Sequence, residues 1–175
     1  MKHKGLIMLG LITILLLANI ASGCVGKLGT GVTKPTVSYV PQDWYLSNED
    51  PYGTYRETDD TEWGLIEYTD DVDWDFAQIY YGDIPPELKG KENDGAALIA
   101  RATLEATTFV PDETGTMTVS GQLAGYVKAY DASLAAYEME IVFVKDSTCI
   151  DIYTMYDATS EDEAQVMSLI NSINL

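Results

Sequence analysis

The sequence predicts an α+β fold, in which an antiparallel β-sheet is covered by helices as an α-β-α sandwich. Several stretches alternate apolar and polar residues at period two and are joined by short polar turns, which is typical of hairpin-linked strands. Two other stretches, near 95–107 and 161–172, have the composition or spacing of helices. Because most successive strands are separated only by turns, we expect an antiparallel sheet with segregated helices.

The first half of the domain is predicted to contain a short strand and a hairpin. Residues 37–40 alternate at period two and end before a proline, so they predict a strand. The polar segment 48–61 predicts a surface loop. Two strands, 64–69 and 75–81, flank the acidic turn 70–73, which predicts a tight hairpin.

The second half is predicted to open with a helix over 95–107, which is rich in alanine and can be capped by Asn93 and Asp94. Three candidate strands follow, at 116–130 with a break near Gly121, at 137–144 and at 149–156. In the last two, apolar side chains share one face: Tyr137, Met139, Ile141, Phe143, Ile150 and Ile152. We expect these two strands to be antiparallel neighbours.

A closing helix is predicted after the last strand. Ser160 and Glu163 have the spacing of a capping box, and the acidic residues between them suit a helix N-terminus. The apolar residues that follow have core spacing: Val166, Met167, Leu169, Ile170 and Ile173. We therefore expect this helix to pack on the sheet.

The first 23 residues are predicted to be an export signal. Lys2 and Lys4 precede an uncharged segment, 5–18, whose helical length of about 21 Å is too short to span a bilayer core. The string from Ile20 to Cys24 resembles a prokaryotic lipobox, in which the cysteine is lipidated. The sequence then predicts a signal peptide (1–23), a lipidated Cys24 with a flexible tether (24–36) and one globular domain (37–175). Without lipidation the protein would be secreted.

Charge excludes several functions. The chain carries 28 Asp and Glu against 10 Lys and Arg, a net charge of −18, and shows no basic stripe for nucleic acid. The single histidine, His3, lies in the export signal. Catalysis by histidine and histidine-ligated metal sites are therefore not expected in the mature domain.

Three strings carry a resemblance to a known family: Val37-Ser38-Tyr39-Val40-Pro41-Gln42-Asp43-Trp44, Gly121-Gln122-Leu123-Ala124 and Asn171-Ser172-Ile173. They resemble the strand–proline–x–x–tryptophan entry, the strand–Gly–x–x–Ala step and the closing helix of PsbP-like domains. The resemblance covers most of residues 37–175 in element order. It implies an α-β-α sandwich that binds or helps to assemble a partner, and it supplies no catalytic residue.

The acidic turn is a candidate cation site. Asp70, Asp71, Asp73 and Asp75 crowd four carboxylates, and Ca²⁺ favours clustered carboxylate oxygens. The EF-hand template fails, because Phe76 and Gly82 stand where that loop needs glycine and glutamate. The alternative interpretation is a solvated turn without a metal.

A tyrosine pair and a lone cysteine are two further features of the domain. Tyr52 and Tyr55 lie beside Arg56 in the polar segment, and aromatic residues with a polar atom are enriched at contact surfaces. Cys149 sits in an apolar strand with no histidine to activate it, which predicts a buried, inert thiol.

The sequence as a whole favours a non-enzymatic, lipid-anchored domain on the extracytoplasmic face of the membrane, which binds or helps to assemble a protein partner. The main alternative is a lipoprotein that binds a small ligand or carbohydrate through its tyrosine residues. A more remote alternative is a hydrolase that uses paired carboxylates.

Overall fold

The computed structural model describes residues 28–29, 31–55, 62–70 and 75–175, the side chains of 52–55, 62 and 160 excepted. Its strands are β1 (Thr36–Val37), β2 (Trp44–Tyr55), β3 (Glu62–Asp70), β4 (Phe76–Gly82), β5 (Glu113–Val119), β6 (Gln122–Asp131), β7 (Ala136–Lys145), β8 (Thr148–Asp157) and β9 (Ile173–Asn174). Its helices are a 3₁₀ turn (Pro86–Leu88), α1 (Gly95–Glu105) and α2 (Ser160–Asn171).

The predicted fold class is wrong, because the described part of the chain is predominantly β. Seven strands form one antiparallel sheet in the order β2-β3-β4-β8-β7-β6-β5, and β1 pairs with β9 in a separate two-stranded sheet. The two α-helices have only 11 and 12 residues. Helix α1 packs on β5, β6 and β7, whereas α2 contacts β8. Two such short helices do not make helical layers over a sheet of this width.

The segment 48–61 explains part of this difference. Its first residues continue β2 instead of forming the predicted loop, and residues 56–61 lie outside the described part of the chain. The β2–β3 register shifts between Leu46 and Asn48 and again between Asp50 and Thr54. Because β2 is an edge strand, Pro51 removes no hydrogen bond from the interior of the sheet. A polar, proline-containing sequence is thus accommodated as a strand.

Most other predicted strands are confirmed. The pairs β3–β4 and β7–β8 are antiparallel, as predicted. The stretch 116–130 breaks near Gly121 into the hairpin β5–β6, with Ser120 and Gly121 at positive φ in the turn. The strand predicted at 37–40 is shorter than expected, since β1 contains only Thr36 and Val37.

Both helices form where the sequence predicts them, with one change of cap. Asp94 caps α1, because its side chain accepts hydrogen bonds from the backbone N–H groups of Ala96 and Ala97. Thr159, not Ser160, caps α2 by accepting from the N–H of Asp162. The predicted capping box is therefore wrong by one residue, and Thr159 with Asp162 takes its place.

The two faces of the large sheet have separate cores. On the face that carries α2, called the α2 face, isoleucine side chains stand side by side across four strands: Ile66, Ile79, Ile152 and Ile141. Val166, Leu169 and Ile170 of α2 join this buried cluster. On the opposite α1 face, helix residues Leu98 and Ala102 pack with a second cluster: Trp63, Val127, Val142, Val144 and Cys149.

The segment before β1 contacts the domain. Leu28 and Val32 pack against the core of the α2 face, and the N–H of Thr33 donates to the hydroxyl of Thr148 at 2.8 Å. Lys34 forms an ion pair with Glu49. At least part of the predicted tether therefore lies on the folded domain. No helix among the described residues is long and apolar enough to cross a bilayer.

Candidate functional site

An open cavity of about 290 Å³ lies at one end of the sheet. It is formed by the segment after α1 and the β6–β7 hairpin, and is lined by Thr108, Phe109, Val110, Asp112, Ala129, Tyr130, Asp131, Ala132 and Glu138. Asp112 fixes the segment to β6, because its N–H donates to the carbonyl of Lys128 at 2.9 Å. Its carboxylate also accepts from the N–H of Tyr130 at 3.2 Å. These two hydrogen bonds hold the segment after α1 against β6.

Glu138 lies in the cavity lining and is 8% exposed. Its Oε2 accepts hydrogen bonds from the hydroxyls of Tyr153 at 2.5 Å and Thr108 at 3.1 Å. Burial and the hydrogen bond to Glu138 both raise the pKa of Tyr153, so this hydroxyl remains a donor. The other oxygen, Oε1, accepts no hydrogen bond from the described residues, and one acceptor of a nearly buried carboxylate is left for a ligand.

The charge of Glu138 also lacks a counter-ion in the described part of the chain. Its carboxylate has no Lys or Arg nitrogen within 4.0 Å there, whereas Arg101 and Lys128 pair with other acids. Asp112 and Asp131 add two more carboxylates to the lining. Because burying an unpaired carboxylate costs free energy, the cavity favours a positively charged occupant.

Large apolar side chains are exposed around the cavity. Val110 is 86% exposed and Tyr130 is 46% exposed in the lining itself, and Leu134 is 56% exposed in the adjoining hairpin turn. The Tyr130 ring packs on Tyr137 with centroids 5.3 Å apart, and Tyr137 packs on Tyr156 at 5.8 Å. Tyr137 therefore holds the exposed ring of Tyr130 in place before any partner binds.

Lys128 stabilises this tyrosine stack from the α2 face. Its ammonium lies 4.0 Å from the centroid of the Tyr137 ring and donates to Glu163 at 2.7 Å. Burial lowers the pKa of Lys128, but the hydrogen bond to Glu163 and the electrostatic attraction of Glu163 and Tyr156 outweigh it and leave the pKa raised. Lys128 is therefore charged, and its positive charge is directed to the rings and to α2.

A second buried charge, Arg101, belongs to the packing of α1. Its guanidinium pairs with Glu105 on the same helix and with Glu87 at 2.7 Å, and it lies 5.9 Å from the Trp63 ring. Cys149 lies on the same side of the sheet and is fully buried, as predicted. Burial raises the pKa of its thiol well above the usual range, which keeps it protonated.

The structure places only part of the predicted cation site. Asp71 and Asp73 lie outside the described residues, Asp70 ends β3, and Asp75 precedes β4. Asp75 is 3% exposed, and its Oδ1 accepts from the N–H of Asp157 at 2.9 Å. Burial raises its pKa to about 7 against the lowering effect of that hydrogen bond, with further raising by Asp162, Asp70 and Asp157. Asp75 is thus directed into the fold. Within the described ranges no three His, Cys, Asp or Glu residues are grouped to hold a metal.

Other predicted site residues stay untested. Cys24 and Arg56 lie outside the described residues, and so do the side chains of Tyr52 and Tyr55, whose backbone belongs to β2. They remain predictions.

Sequence reasoning missed the cavity residues Thr108, Tyr130, Glu138 and Tyr153. Glu138 alternates with the core residues of β7, which ordinarily indicates a solvated face. One signal was present, because Ile141 to Val144 is continuously apolar and so indicates that β7 is covered on both faces.

Comparison with known proteins finds no match: no family model fits the chain, and neither the curated proteins nor the solved structures include a similar one. The resemblance to PsbP-like domains therefore stays a prediction.

Proposed function

We propose that this chain is a non-enzymatic binding domain that recognises a protein partner at the extracytoplasmic face of the membrane, where a lipid on Cys24 holds it. The observation that carries the proposal is the open cavity with Glu138 in its lining and exposed Val110, Tyr130 and Leu134 around it. An apolar patch around a polar centre, with a rigid tyrosine, is typical of protein interfaces. Sites for small molecules instead enclose most of the ligand surface, which an open depression does not do.

The packed N-terminal segment supports a position close to the membrane. Leu28 contacts the domain and is four residues from Cys24, a span of at most about 14 Å in an extended chain. A domain held so near the anchor meets membrane proteins and their extracytoplasmic segments first. Cell fractionation tests the anchor: Cys24→Ser should move the protein from the membrane to the soluble fraction. Retention of this variant in the membrane at the level of the parent would contradict the anchor.

Cross-linking in intact cells tests the binding surface. The parent chain should give a discrete cross-linked product, and Val110→Asp or Tyr130→Ala should abolish it. Leu104→Asp is the matched control, because Leu104 is similarly exposed but lies on α1, outside the cavity. A product that survives both cavity variants, or that Leu104→Asp also removes, would place the contact elsewhere.

A carbohydrate or other small ligand is the second candidate, and the exposed Tyr130 ring favours it. The cavity volume of about 290 Å³ lies just below the usual range for small-molecule sites. Tyr130 offers a ring on which a sugar could stack. Saturable binding of a saccharide to the purified chain, lost in Tyr130→Ala, would favour this candidate over a protein partner.

A further inference from the structure

We propose that the cavity receives a lysine side chain of the protein partner, whose ammonium group pairs with Oε1 of Glu138. This inference rests on the proposed function and specifies the chemistry of the partner. Glu138 is almost fully buried, has no counter-ion among the described residues and lines the open cavity. A carboxylate buried in this way gains most from an occupant that supplies the missing positive charge.

The hydrogen bonds at Glu138 select the type of cation. Tyr153 and Thr108 both donate to Oε2, so that only Oε1 can accept from a ligand. A guanidinium group binds carboxylates best through two parallel hydrogen bonds, which need both oxygens. An ammonium group needs one acceptor. The geometry therefore fits lysine better than arginine.

The cavity walls fit the remainder of a lysine side chain. Its four-carbon stem would lie against apolar members of the lining, of which Ala129 is the cross-strand neighbour of Glu138. Asp112 and Asp131 at the same cavity raise the local concentration of positive charge. Hydrogen bonds from the side chain and the N–H of Ser133 lower the pKa of Asp131 and keep it ionised.

The test uses the full chain carrying Cys24→Ser and labelled with ¹³C and ¹⁵N. The probes are N-acetyl-lysine methylamide, its arginine counterpart, and N-acetyl-norleucine methylamide, which keeps the apolar stem without the ammonium. The lysine probe should shift the carboxyl carbon of Glu138 and the amides of Thr108 and Tyr130 saturably. It should bind at least about fivefold more tightly than norleucine, as expected for a partly exposed ion pair.

Glu138→Gln should reduce the preference for lysine over norleucine to below about twofold, which is the loss of that ion pair. Glu161→Gln is the control, since Glu161 is exposed at the start of α2, and it should leave the preference unchanged. If Glu138→Gln does not fold, the salt dependence of probe binding to the parent chain provides the test instead. Raising NaCl from about 20 mM to about 500 mM should weaken the lysine probe several-fold and leave norleucine unaffected.

Equal binding of lysine and norleucine, tighter binding of arginine, or saturable shifts confined to residues outside the cavity would each overturn the proposal. So would displacement of the lysine probe by Ca²⁺ at matched ionic strength, because the cavity would then be an inorganic cation site. None of these results bears on cross-linking through Val110 and Tyr130. Loss of the lysine preference, with the cross-link of the parent chain still sensitive to Val110→Asp and Tyr130→Ala, rejects this inference alone. A cross-link that survives both of those variants rejects the proposed function.

Discussion

The two faces of the large sheet differ in what they bury. The α2 face has an uninterrupted row of isoleucines, on which Leu169 and Ile170 pack without an intervening charge. The α1 face has a smaller apolar cluster, and beyond the end of α1 it buries Glu138. Apolar burial stabilises a fold, whereas an unpaired buried carboxylate opposes it. We infer that the α2 face serves stability and the α1 face accommodates a site.

The largest effect is expected from a substitution that disrupts the packing of α2 on the sheet. Ile170→Ala removes a fully buried side chain between α2 and the sheet, and should lower the free energy of unfolding by about 2–5 kcal/mol. Denaturant unfolding of the Cys24→Ser chain measures this. Ser168→Ala is the control on the exposed side of α2 and should change it by no more than about 0.5 kcal/mol. A loss below about 0.5 kcal/mol in Ile170→Ala would contradict the assignment of this face as the main core.

This contrast also shows what sequence patterns can predict. The α2 face could be predicted because its apolar residues recur at period two in β7 and β8 and at helical spacing in α2, so each element indicates its buried side by itself. The burial of Glu138 could not be predicted in this way, because it depends on the segment around Thr108 returning over β7. Strand β2 was missed because pairing with β3 at the sheet edge overrides its polar composition.

The next effect tests the packing of α1. Gly125 lies on β6 beneath α1, and a Cβ atom there would overlap the backbone of Leu98 and Ile99. Gly125→Ala should therefore push α1 from the sheet and cost about 1–3 kcal/mol of stability. Thr118→Ala, at an exposed position on the same face of β5, is the control. Because α1 leads directly into Thr108, the variant should also weaken binding at the cavity. Unchanged stability would contradict the close contact between α1 and β6.

A smaller effect arises where the α2 face ends at a charge. The pKa of Asp75 is raised to about 7, so between about pH 4 and pH 7 the folded chain binds more protons than the unfolded chain. The contribution of Asp75 to the free energy of unfolding therefore falls as pH rises through that window, and it is constant at higher pH. The slope lies below the one-proton limit of about 1.4 kcal/mol per pH unit. Asp75→Asn keeps the acceptor for the N–H of Asp157 and should remove this part of the slope.

Melting temperatures of the parent and Asp75→Asn at matched ionic strength, from pH 4 to pH 8, measure that difference. Asp162→Asn is the matched control, because Asp162 only adds to the shift while burial is its main cause. The two profiles should separate progressively above about pH 4, the ordinary range of the carboxyl group. Parallel profiles would show that Asp75 titrates as a solvated carboxylate, and that this end of the α2 face is open to water.

The last prediction is that Ca²⁺ does not change the melting temperature. It tests whether the acidic turn also binds cations. Asp75 is buried and directs Oδ1 to the N–H of Asp157, which withdraws one of the four carboxylates from the turn. Without that carboxylate the turn supplies fewer of the six to eight oxygen ligands that Ca²⁺ takes. We therefore expect equal melting temperatures in about 1 mM Ca²⁺ and in NaCl of the same ionic strength, since only a bound ligand adds stability by mass action. Asp73→Asn should change neither value beyond its effect on net charge. A higher melting temperature in Ca²⁺ that disappears in Asp73→Asn would establish a metal site at the turn, and cation binding would then no longer distinguish the α1 face from the rest of the domain.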